Sequence, residues 1–167
     1  MTDQAGDTAL VVTVPEAEPL VRRWRVRDIG FMAHVTVLVP FLRVDRVDDG
    51  VRRELRELFG RHPAFEVTFR EVGRFPGVVY LAPEPAEPFV RMTEAVVGRW
   101  PEAPPYGGRH DEIIPHLTVS DEGAVEPAAL VGELPLTGRA AAVTLLVCDD
   151  RGRWGEVTAF PLSPAGP

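Results

Sequence analysis

The chain contains one stretch of sequence twice, first as Val11-Val12-Thr13-Val14-Pro15-Glu16-Ala17-Glu18-Pro19-Leu20-Val21-Arg22 and again as Val78-Val79-Tyr80-Leu81-Ala82-Pro83-Glu84-Pro85-Ala86-Glu87-Pro88-Phe89-Val90-Arg91. Two single-residue gaps align the copies. Each copy predicts a β-branched strand, a proline-marked turn and a helix whose first position is proline, where the missing amide would have no helical partner. The duplication predicts a chain built from two related halves.

Two further correspondences follow the copies. The first is the match between Ala33-His34-Val35-Thr36-Val37 and Pro115-His116-Leu117-Thr118-Val119. The second is the match between Gly73-Arg74-Phe75 and Gly152-Arg153-Trp154, and each of these two tripeptides precedes a predicted strand. Because the three correspondences occur in a compatible order, we expect a pseudo-twofold architecture with two lobes in a single domain, residues 1–167.

Hydrophobic periodicity predicts the remaining elements of an α+β chain. One helical face repeats through 51–59, with Asp48 or Asp49 as N-cap and Gly60 as the C-terminal stop. A second apolar stripe runs from Phe89 to Trp100. We also predict strands at 65–69, 141–147 and 156–160, and a short helix at 127–131.

Composition limits the classes of partner. The 167 residues are 45% hydrophobic and 26% charged, as in an ordinary globular protein, and the net charge of −7 disfavours binding to long nucleic acid. No apolar run reaches the roughly 18 residues of a membrane span, and the acidic start is unlike a signal peptide. We therefore expect a cytoplasmic protein with no membrane partner.

Cys148, the only cysteine, lies in an apolar run and is expected to be a buried structural thiol.

The two His-x-Thr segments carry the candidate chemistry. On a strand, His34 and Thr36 share one face and the neighbouring valines share the other; His116 and Thr118 repeat the pattern. Each strand then presents an imidazole and a hydroxyl about 7 Å apart. In-line displacement at phosphorus needs a base for the nucleophile and an acid for the leaving oxygen, and histidine can serve as either near neutral pH. The hydroxyls can donate to the non-bridging oxygens, so no metal is needed.

Other uses of these residue types fit less well. A single His-x-Thr is usually only the polar side of a strand, and it is the duplication that favours a site. The four histidines and Cys148 show no zinc-site spacing, so no metal or other cofactor is expected. His62 and His110 are expected to be solvent-exposed loop residues. The glycine-rich loops lack the Lys-Ser/Thr of a nucleotide-hydrolase phosphate loop.

The chain resembles the 2H phosphoesterase superfamily, in its 2′-5′ RNA ligase-like branch. The resemblance rests on His34-Val35-Thr36-Val37 followed by Pro40-Phe41, on Val78–Pro83 before a helix, on Pro115-His116-Leu117-Thr118-Val119, and on a closing strand that ends Phe-Pro-Leu. It implies a bilobal α+β fold with two antiparallel sheets flanked by helices around a central cleft. It also implies a catalytic tetrad, namely His34, Thr36, His116 and Thr118.

The activity implied by the resemblance is hydrolysis of small RNA-type phosphodiesters such as nucleoside 2′,3′-cyclic phosphates. The alternatives are 2′-5′ RNA ligation and a nucleotide-binding module without turnover. Relatives that act on RNA ends often carry a basic residue after the second motif, whereas Ser120-Asp121-Glu122 stands here, which weakens the case for ligation. The expected partner is a small nucleotide or an RNA-end phosphate, and the oligomeric state is left open.

Substrate-binding candidates lie before each motif. Tyr106 and Arg109 occupy the loop that leads into the second motif, where they can stack a base and hold a phosphate, or form an ordinary proline-glycine surface loop. Four arginines precede the first motif and are expected to form a solvated basic face: Arg22, Arg23, Arg25 and Arg27.

Overall fold

The computed structural model describes residues 3–108, 112–121 and 123–164, and these ranges contain eight strands, four α-helices and short 3₁₀ turns. The strands are β1 (Thr8–Thr13), β2 (His34–Leu38), β3 (Phe65–Phe75), β4 (Val78–Glu84), β5 (Leu117–Asp121), β6 (Leu136–Ala140), β7 (Ala142–Cys148) and β8 (Trp154–Pro161). The helices are α1 (Glu18–Trp24), α2 (Asp49–Gly60), α3 (Glu87–Arg99) and α4 (Pro127–Val131).

The eight strands form one antiparallel sheet in the order β6-β3-β4-β5-β2-β1-β7-β8. Its two halves meet at the centre, where the paired residues of β2 and β5 are Val35 and Leu117. The predicted α+β class is confirmed. The prediction of two separate sheets is not confirmed, because the hydrogen-bonded ladder continues through the β2–β5 contact.

The duplicated stretches occupy equivalent positions in this sheet. They form β1–α1 and β4–α3, and β1 and β4 each lie second from the centre of the strand order. Each duplicated helix packs against the central strand that follows the other copy, α1 against β5 and α3 against β2. This reciprocal packing ties the two halves together from the helical side as well as through the sheet.

The third sequence correspondence does not mark equivalent strands. Strand β8 lies at the edge of the sheet, whereas β4 lies second from its centre. Gly73 belongs to β3 and pairs with Tyr80, but Gly152 lies in the turn before β8 with a φ of 77°. The Gly-Arg-aromatic pattern therefore begins within the first strand of the β3–β4 hairpin in one case and in the turn of the β7–β8 hairpin in the other.

The core lies between the helices and one face of the sheet. The N-cap of α2 is Asp48, one of the two residues predicted for this position. Its carboxylate accepts a hydrogen bond from the Val51 amide at 2.8 Å. Leu55 and Phe59 from α2 are fully buried, and burial of such side chains contributes about 1.5–3 kcal/mol each. The predicted stripe of α3 is also buried, from Phe89 to Trp100.

A smaller apolar cluster covers part of the opposite sheet face, over β1, β7 and β8. It contains Ala9, Val11, Leu146, Cys148 and Trp154. The prediction that Cys148 is buried is confirmed, and burial raises the pKa of its thiol. In the described part of the chain, none of the helices combines the length and the hydropathy needed to cross a membrane.

Candidate active site

The two His-x-Thr segments lie on the central strands of the sheet with the predicted alternation. Val35 and Leu117 are fully buried in the core, while His34 and Thr36 on β2 are half-buried on the other face. His116, immediately before β5, is half-buried and Thr118 is exposed. We call the sheet face that carries these four side chains the site face.

The strand register brings the four side chains together. Because Val35 pairs with Leu117 in antiparallel orientation, the register extended by one residue places His34 opposite Thr118 and Thr36 opposite His116. Directly opposed residues of antiparallel strands lie about 4.5–5.5 Å apart at Cα. The group is therefore a compact rectangle with the imidazoles at one pair of diagonal corners and the hydroxyls at the other.

Both imidazoles are held by the same local hydrogen bond. His34 Nδ1 lies 2.7 Å from the Met32 carbonyl oxygen, and His116 Nδ1 lies 2.8 Å from the Ile114 carbonyl oxygen. A carbonyl can only accept, so the proton is assigned to Nδ1 in each ring. Nε2 is then the nitrogen that exchanges a proton, and the bond at Nδ1 fixes the ring orientation.

The electrostatic surroundings favour neutral imidazole at both positions. Burial lowers the pKa of His34, and the Arg25 cation and His116 lower it further, against the Met32 carbonyl and Glu18, which raise it. Burial also lowers the pKa of His116, opposed by its bond to the Ile114 carbonyl. Desolvation disfavours the charged form of a histidine, so either ring can accept a proton at neutral pH.

The segment before His34 is tied to α1 by a partly buried hydrogen bond to Glu18, which also pairs with Arg25. Glu18 Oε2 accepts a hydrogen bond of 2.5 Å from the Ala33 amide, and Glu18 Oε1 lies 3.2 Å from Arg25 Nη1. The second copy cannot form the equivalent bond, because Pro115 stands where Ala33 does and has no amide proton. The two histidines thus share a hydrogen-bond pattern but differ in charged neighbours.

Aromatic rings that the sequence reasoning missed surround His116. Phe75 and Tyr80 stack with ring centroids 4.4 Å apart, and His116 makes edge contacts with them at 5.0 and 5.5 Å. Tyr80 pairs with Thr118 across β4 and β5, so its side chain belongs to the site face. A Cβ at Gly73 would collide with the Tyr80 ring. The available signal was the position of Tyr80 in the otherwise aliphatic run Val78–Ala82.

His34 has a lighter aromatic contact and a cavity beside it. Its ring lies 5.9 Å from that of Phe31. The cavity, which we call the His34 cavity, has a volume of about 210 Å³. Its lining includes Val21, Arg25, Arg27, His34, Thr118 and Asp121. Two members of the basic run expected to form a solvated face therefore border the candidate site.

A second cavity lies beside the residues that precede His116 in the chain, Ile113–Pro115. This Tyr80 cavity has a volume of about 520 Å³ and a more apolar lining. Its residues include Tyr80, Ala82, Val90, Arg91, Ile114 and Pro115.

Of the two substrate-binding candidates in the loop before the second motif, the structure describes Tyr106 alone. Tyr106 is half-buried, and its amide donates to the Val39 carbonyl oxygen at 2.7 Å, just beyond the end of β2. Its φ of 52° is in the left-handed region, and burial raises the pKa of its phenol. Strained backbone of this kind is often found at functional sites. Arg109 and His110 lie outside the described residues.

The remaining histidine lies elsewhere. His62 follows α2, is half-buried, and lines a groove between α2 and α3 with Arg61 and Arg99. Within residues 3–108, 112–121 and 123–164, no three His, Cys, Asp or Glu side chains are grouped closely enough to hold a metal ion.

Two His-x-Thr strands side by side at the centre of one antiparallel sheet define the class of two-histidine phosphoesterases. The chain belongs to the 2′-5′ RNA ligase superfamily, whose sequence model matches residues 14–152. The family resemblance predicted from the motifs is confirmed. None of the curated proteins matches the chain significantly.

Solved structures show the same fold over nearly the whole chain. TT0787 of Thermus thermophilus aligns with a TM-score of 0.68 and 18% identity, covering 96% of this chain and 100% of that one. A phosphoesterase aligns with a TM-score of 0.65 and 18% identity, covering 96% and 99%. Escherichia coli LigT, complexed with NADP+, aligns with a TM-score of 0.63 and 19% identity, also covering 96% and 99%. At this level of identity the likeness establishes the fold alone.

Proposed function

We propose that the protein is a phosphodiesterase that hydrolyses small RNA-type phosphodiesters, such as nucleoside 2′,3′-cyclic phosphates, with His34 and His116 as its acid–base pair. The observation that carries this proposal is the shared geometry of the two imidazoles. Both occupy the site face, both are oriented through Nδ1 by a carbonyl two residues earlier, and both leave Nε2 for proton exchange. Histidines that served only packing would not need the same face and the same tautomer.

The diagonal placement of the rings suits in-line displacement at phosphorus. A cyclic phosphate above the rectangle has one imidazole on the side of the attacking water and the other on the side of the leaving ribose oxygen. The first Nε2 takes a proton from water as the new P–O bond forms. The second Nε2, protonated, gives its proton to the ribose oxygen as the old P–O bond breaks. One water is consumed, and the product is a nucleoside monophosphate.

Thr36 and Thr118 occupy the remaining corners, where the non-bridging oxygens of the phosphoryl group would lie. Hydroxyl donors placed there stabilise the charge that develops in the transition state. We propose that these two hydrogen bonds and the imidazolium supply the stabilisation without a metal or another cofactor.

A small nucleotide is the proposed partner. LigT has been crystallised with 3′-AMP, with NADP+ and with ATP, which supports a nucleotide-sized ligand for this fold. We propose that the two halves of the sheet act as two lobes around this ligand, with the cleft above the β2–β5 contact. Tyr106 and Arg109 remain candidate contacts, and a cytoplasmic location remains a prediction.

Ligation uses the same displacement, with the 5′-hydroxyl of a second RNA end in place of water as the nucleophile, so the acid and the base keep their roles. The acidic Asp121 that follows the second motif disfavours RNA ends, so hydrolysis is the proposed reaction. A binding module without turnover would have no use for both acid–base groups.

The direct test is incubation of the pure protein with the four nucleoside 2′,3′-cyclic phosphates, followed by separation of 2′- and 3′-monophosphates. We expect conversion to a single regioisomer, since only one ribose oxygen can lie beside the acid. The control is the protein with both histidines replaced by alanine, prepared identically. Binding of nucleotides with no conversion would identify the binding module instead.

A further inference from the structure

A loop without helix or strand, residues 25–33, connects α1 to β2 and supplies the hydrogen bond that orients His34. We call this segment the His34 loop. The acceptor of the bond is the carbonyl of Met32, two residues before the histidine. Phe31, one residue earlier, has its ring 5.9 Å from the His34 ring. Loops are usually more mobile than the elements they connect, so the orientation of this imidazole depends on what holds the loop.

The middle of the His34 loop is attached to the β7–β8 hairpin. The Trp154 amide donates to the Ile29 carbonyl oxygen at 2.7 Å. One oxygen of the Asp28 carboxylate accepts from the Gly30 amide at 2.8 Å, and the other accepts from Arg153 Nη1 at 3.0 Å. Because β8 lies three strands from β2 in the sheet order, these contacts join the segment before the first motif to a distant part of the sheet.

The close approach of the loop to the hairpin requires glycine at position 30. Gly30 has a φ of 84°, in the left-handed region. A Cβ there would lie 2.9 Å from the Trp154 carbonyl oxygen and 3.2 Å from Arg153 Cβ, so the two backbones leave no room for a side chain. The ion pair between Arg153 and Asp28 is exposed and contributes little to stability. The backbone contacts are therefore the stronger part of the attachment.

The small apolar cluster over β1, β7 and β8 gives the His34 loop a surface to pack on. Ile29 and Phe31 from the loop pack against this cluster, which includes Val11 and Trp154. Val11 pairs with Thr36 across β1 and β2, so the packing surface adjoins the candidate site. Removal of the two loop side chains from water stabilises the attached conformation.

We propose that the β7–β8 hairpin positions His34, because Trp154 and Gly30 hold the His34 loop in place and the loop fixes the Met32 carbonyl that orients the ring. Gly30 and Trp154 are thus positioning residues, which act on the imidazole through the loop. Catalytic side chains depend on such supporting contacts for their geometry. The inference rests on the proposed function only in its consequence for turnover, since its consequence for the His34 ring needs no substrate.

This attachment concerns one of the two histidines. His116 is oriented by the Ile114 carbonyl, and its aromatic contacts come from Phe75 and Tyr80 in the β3–β4 hairpin. A change at the β7–β8 hairpin should therefore alter His34 and leave His116 as it is. The two Gly-Arg-aromatic tripeptides thus lie in hairpins that each support one histidine.

Long-range nitrogen–proton NMR spectra of the free protein report the tautomer and the pKa of each histidine separately. Gly30→Ala should release the loop, so His34 should lose its single Nδ1–H tautomer. Its pKa should rise, because burial is the largest influence that lowers it and outweighs the bond to the Met32 carbonyl, which raises it. Three charged or titratable groups also act on this pKa, and the substitution leaves them in place: Arg25, Glu18 and His116.

Gly152→Ala is the matched control, since Gly152 lies in the same hairpin with a φ of 77° and a Cβ there meets nothing within 4 Å. It carries the same backbone strain without the collision and should change neither histidine. Ile29→Ala is a milder second variant, which removes packing on the apolar cluster and should shift the His34 tautomer and pKa in the same direction by less. Its control is Val39→Ala, because Val39 packs on that cluster from outside the loop.

Turnover tests the consequence for catalysis. In Gly30→Ala, kcat on the best cyclic nucleotide should fall by about ten- to a hundredfold, because a small displacement of an acid–base group is costly. The limb of the pH profile governed by His34 should move to higher pH. Gly152→Ala should retain both the rate and the profile.

The outcomes separate this inference from the proposed function. Altered His34 signals with unaltered His116 signals, in a protein that hydrolyses no cyclic nucleotide, would refute the proposed function and leave the positioning of His34 standing. Unaltered His34 signals in both Gly30→Ala and Ile29→Ala would overturn the positioning. Equal changes at both histidines would do the same, because they would indicate a general loss of structure. Altered signals with an unchanged kcat would overturn the catalytic role of the hairpin. If Gly30→Ala does not fold, Ile29→Ala decides alone.

Discussion

Val35 on β2 lies directly opposite Leu117 on β5, and through this pair the two halves of the sheet meet. Both side chains are fully buried, so the residues on either side of them must face away from the core. Those residues are the two histidines and the two threonines. A shift of one residue in either strand would turn its polar pair toward the core. The apolar pair therefore sets the geometry of the candidate site.

His34→Ala and His116→Ala should each lower turnover by at least about a hundredfold, because a general acid or base typically contributes about 10²–10⁴-fold. Initial rates on the best cyclic nucleotide measure the effect. His62→Ala, at the groove between α2 and α3, is the matched control and should leave the rate unchanged. Near-normal turnover in either site variant, with an unaltered melting temperature, would refute the acid–base assignment.

Thr36→Val and Thr118→Val should each reduce kcat/KM by about ten- to a hundredfold, because a hydrogen bond to a charged group is worth about 1.5–3 kcal/mol. Thr→Ser keeps the hydroxyl and should be much milder at both positions. Steady-state kinetics on all four variants test this. Equal losses from valine and serine would indicate that the threonines act through packing.

The dependence of turnover on pH should be bell-shaped, because one imidazole must be neutral and the other protonated. Burial lowers the pKa of both histidines, so in the free enzyme the limbs should lie on the acid side of the usual histidine value of about 6.5. A profile of kcat/KM from about pH 4.5 to 9 measures this. A flat or monotonic profile, with chemistry rate-limiting, would favour the binding module.

Arg25→Gln should move one limb of that profile. The Arg25 cation lowers the pKa of His34 and Glu18 raises it, so loss of the arginine removes a repulsion and leaves Glu18 unopposed. The limb governed by His34 must therefore shift to higher pH. A shift of the acid limb would identify His34 as the base, and a shift of the alkaline limb would identify it as the acid. Arg46→Gln, at an exposed 3₁₀ turn, should shift neither limb, and a downward shift in Arg25→Gln would contradict the electrostatic argument.

Activity should survive dialysis against a chelator, because the four side chains provide both proton transfer and charge stabilisation. Turnover before and after dialysis, with metal content measured in parallel, tests this. Activity that is lost and then restored by zinc or manganese would show that the histidines serve a metal.

Gly73→Ala should destabilise the protein and disturb the aromatic surroundings of His116, because the new Cβ would collide with the Tyr80 ring. Overpacking of this kind typically costs about 1–3 kcal/mol. Melting temperature and turnover measure the two effects. Gly98→Ala is the control, since a Cβ there meets nothing within 4 Å and alanine favours the helix. If the collision is the cause, Tyr80→Ala should suppress the stability loss of Gly73→Ala; additive losses in the double variant would exclude it.

Local pattern was sufficient for much of the fold. The cap at Asp48, the buried stripe of α3 and the short helix α4 were predicted, since each depends on neighbours within a few turns of chain. Strand β6 was missed. The predicted strand at 141–147 corresponds to β7 alone, and Gly138 interrupts the alternating pattern of β6 just before it. The reason for that glycine is tertiary, because a Cβ there would press on Val14 and Glu16.

The sequence by itself determined which residue types face together on each central strand, because alternation along a strand is a property of the local backbone. It therefore determined the His-x-Thr pairs and, through their duplication, the family. Only the tertiary structure decided that the two strands are neighbours with Val35 opposite Leu117, that Tyr80 and Phe75 surround His116, and that Arg25 and Arg27 border a cavity. These relationships join residues far apart in the chain, and they depend on strand order and register, which are set by packing of the whole core.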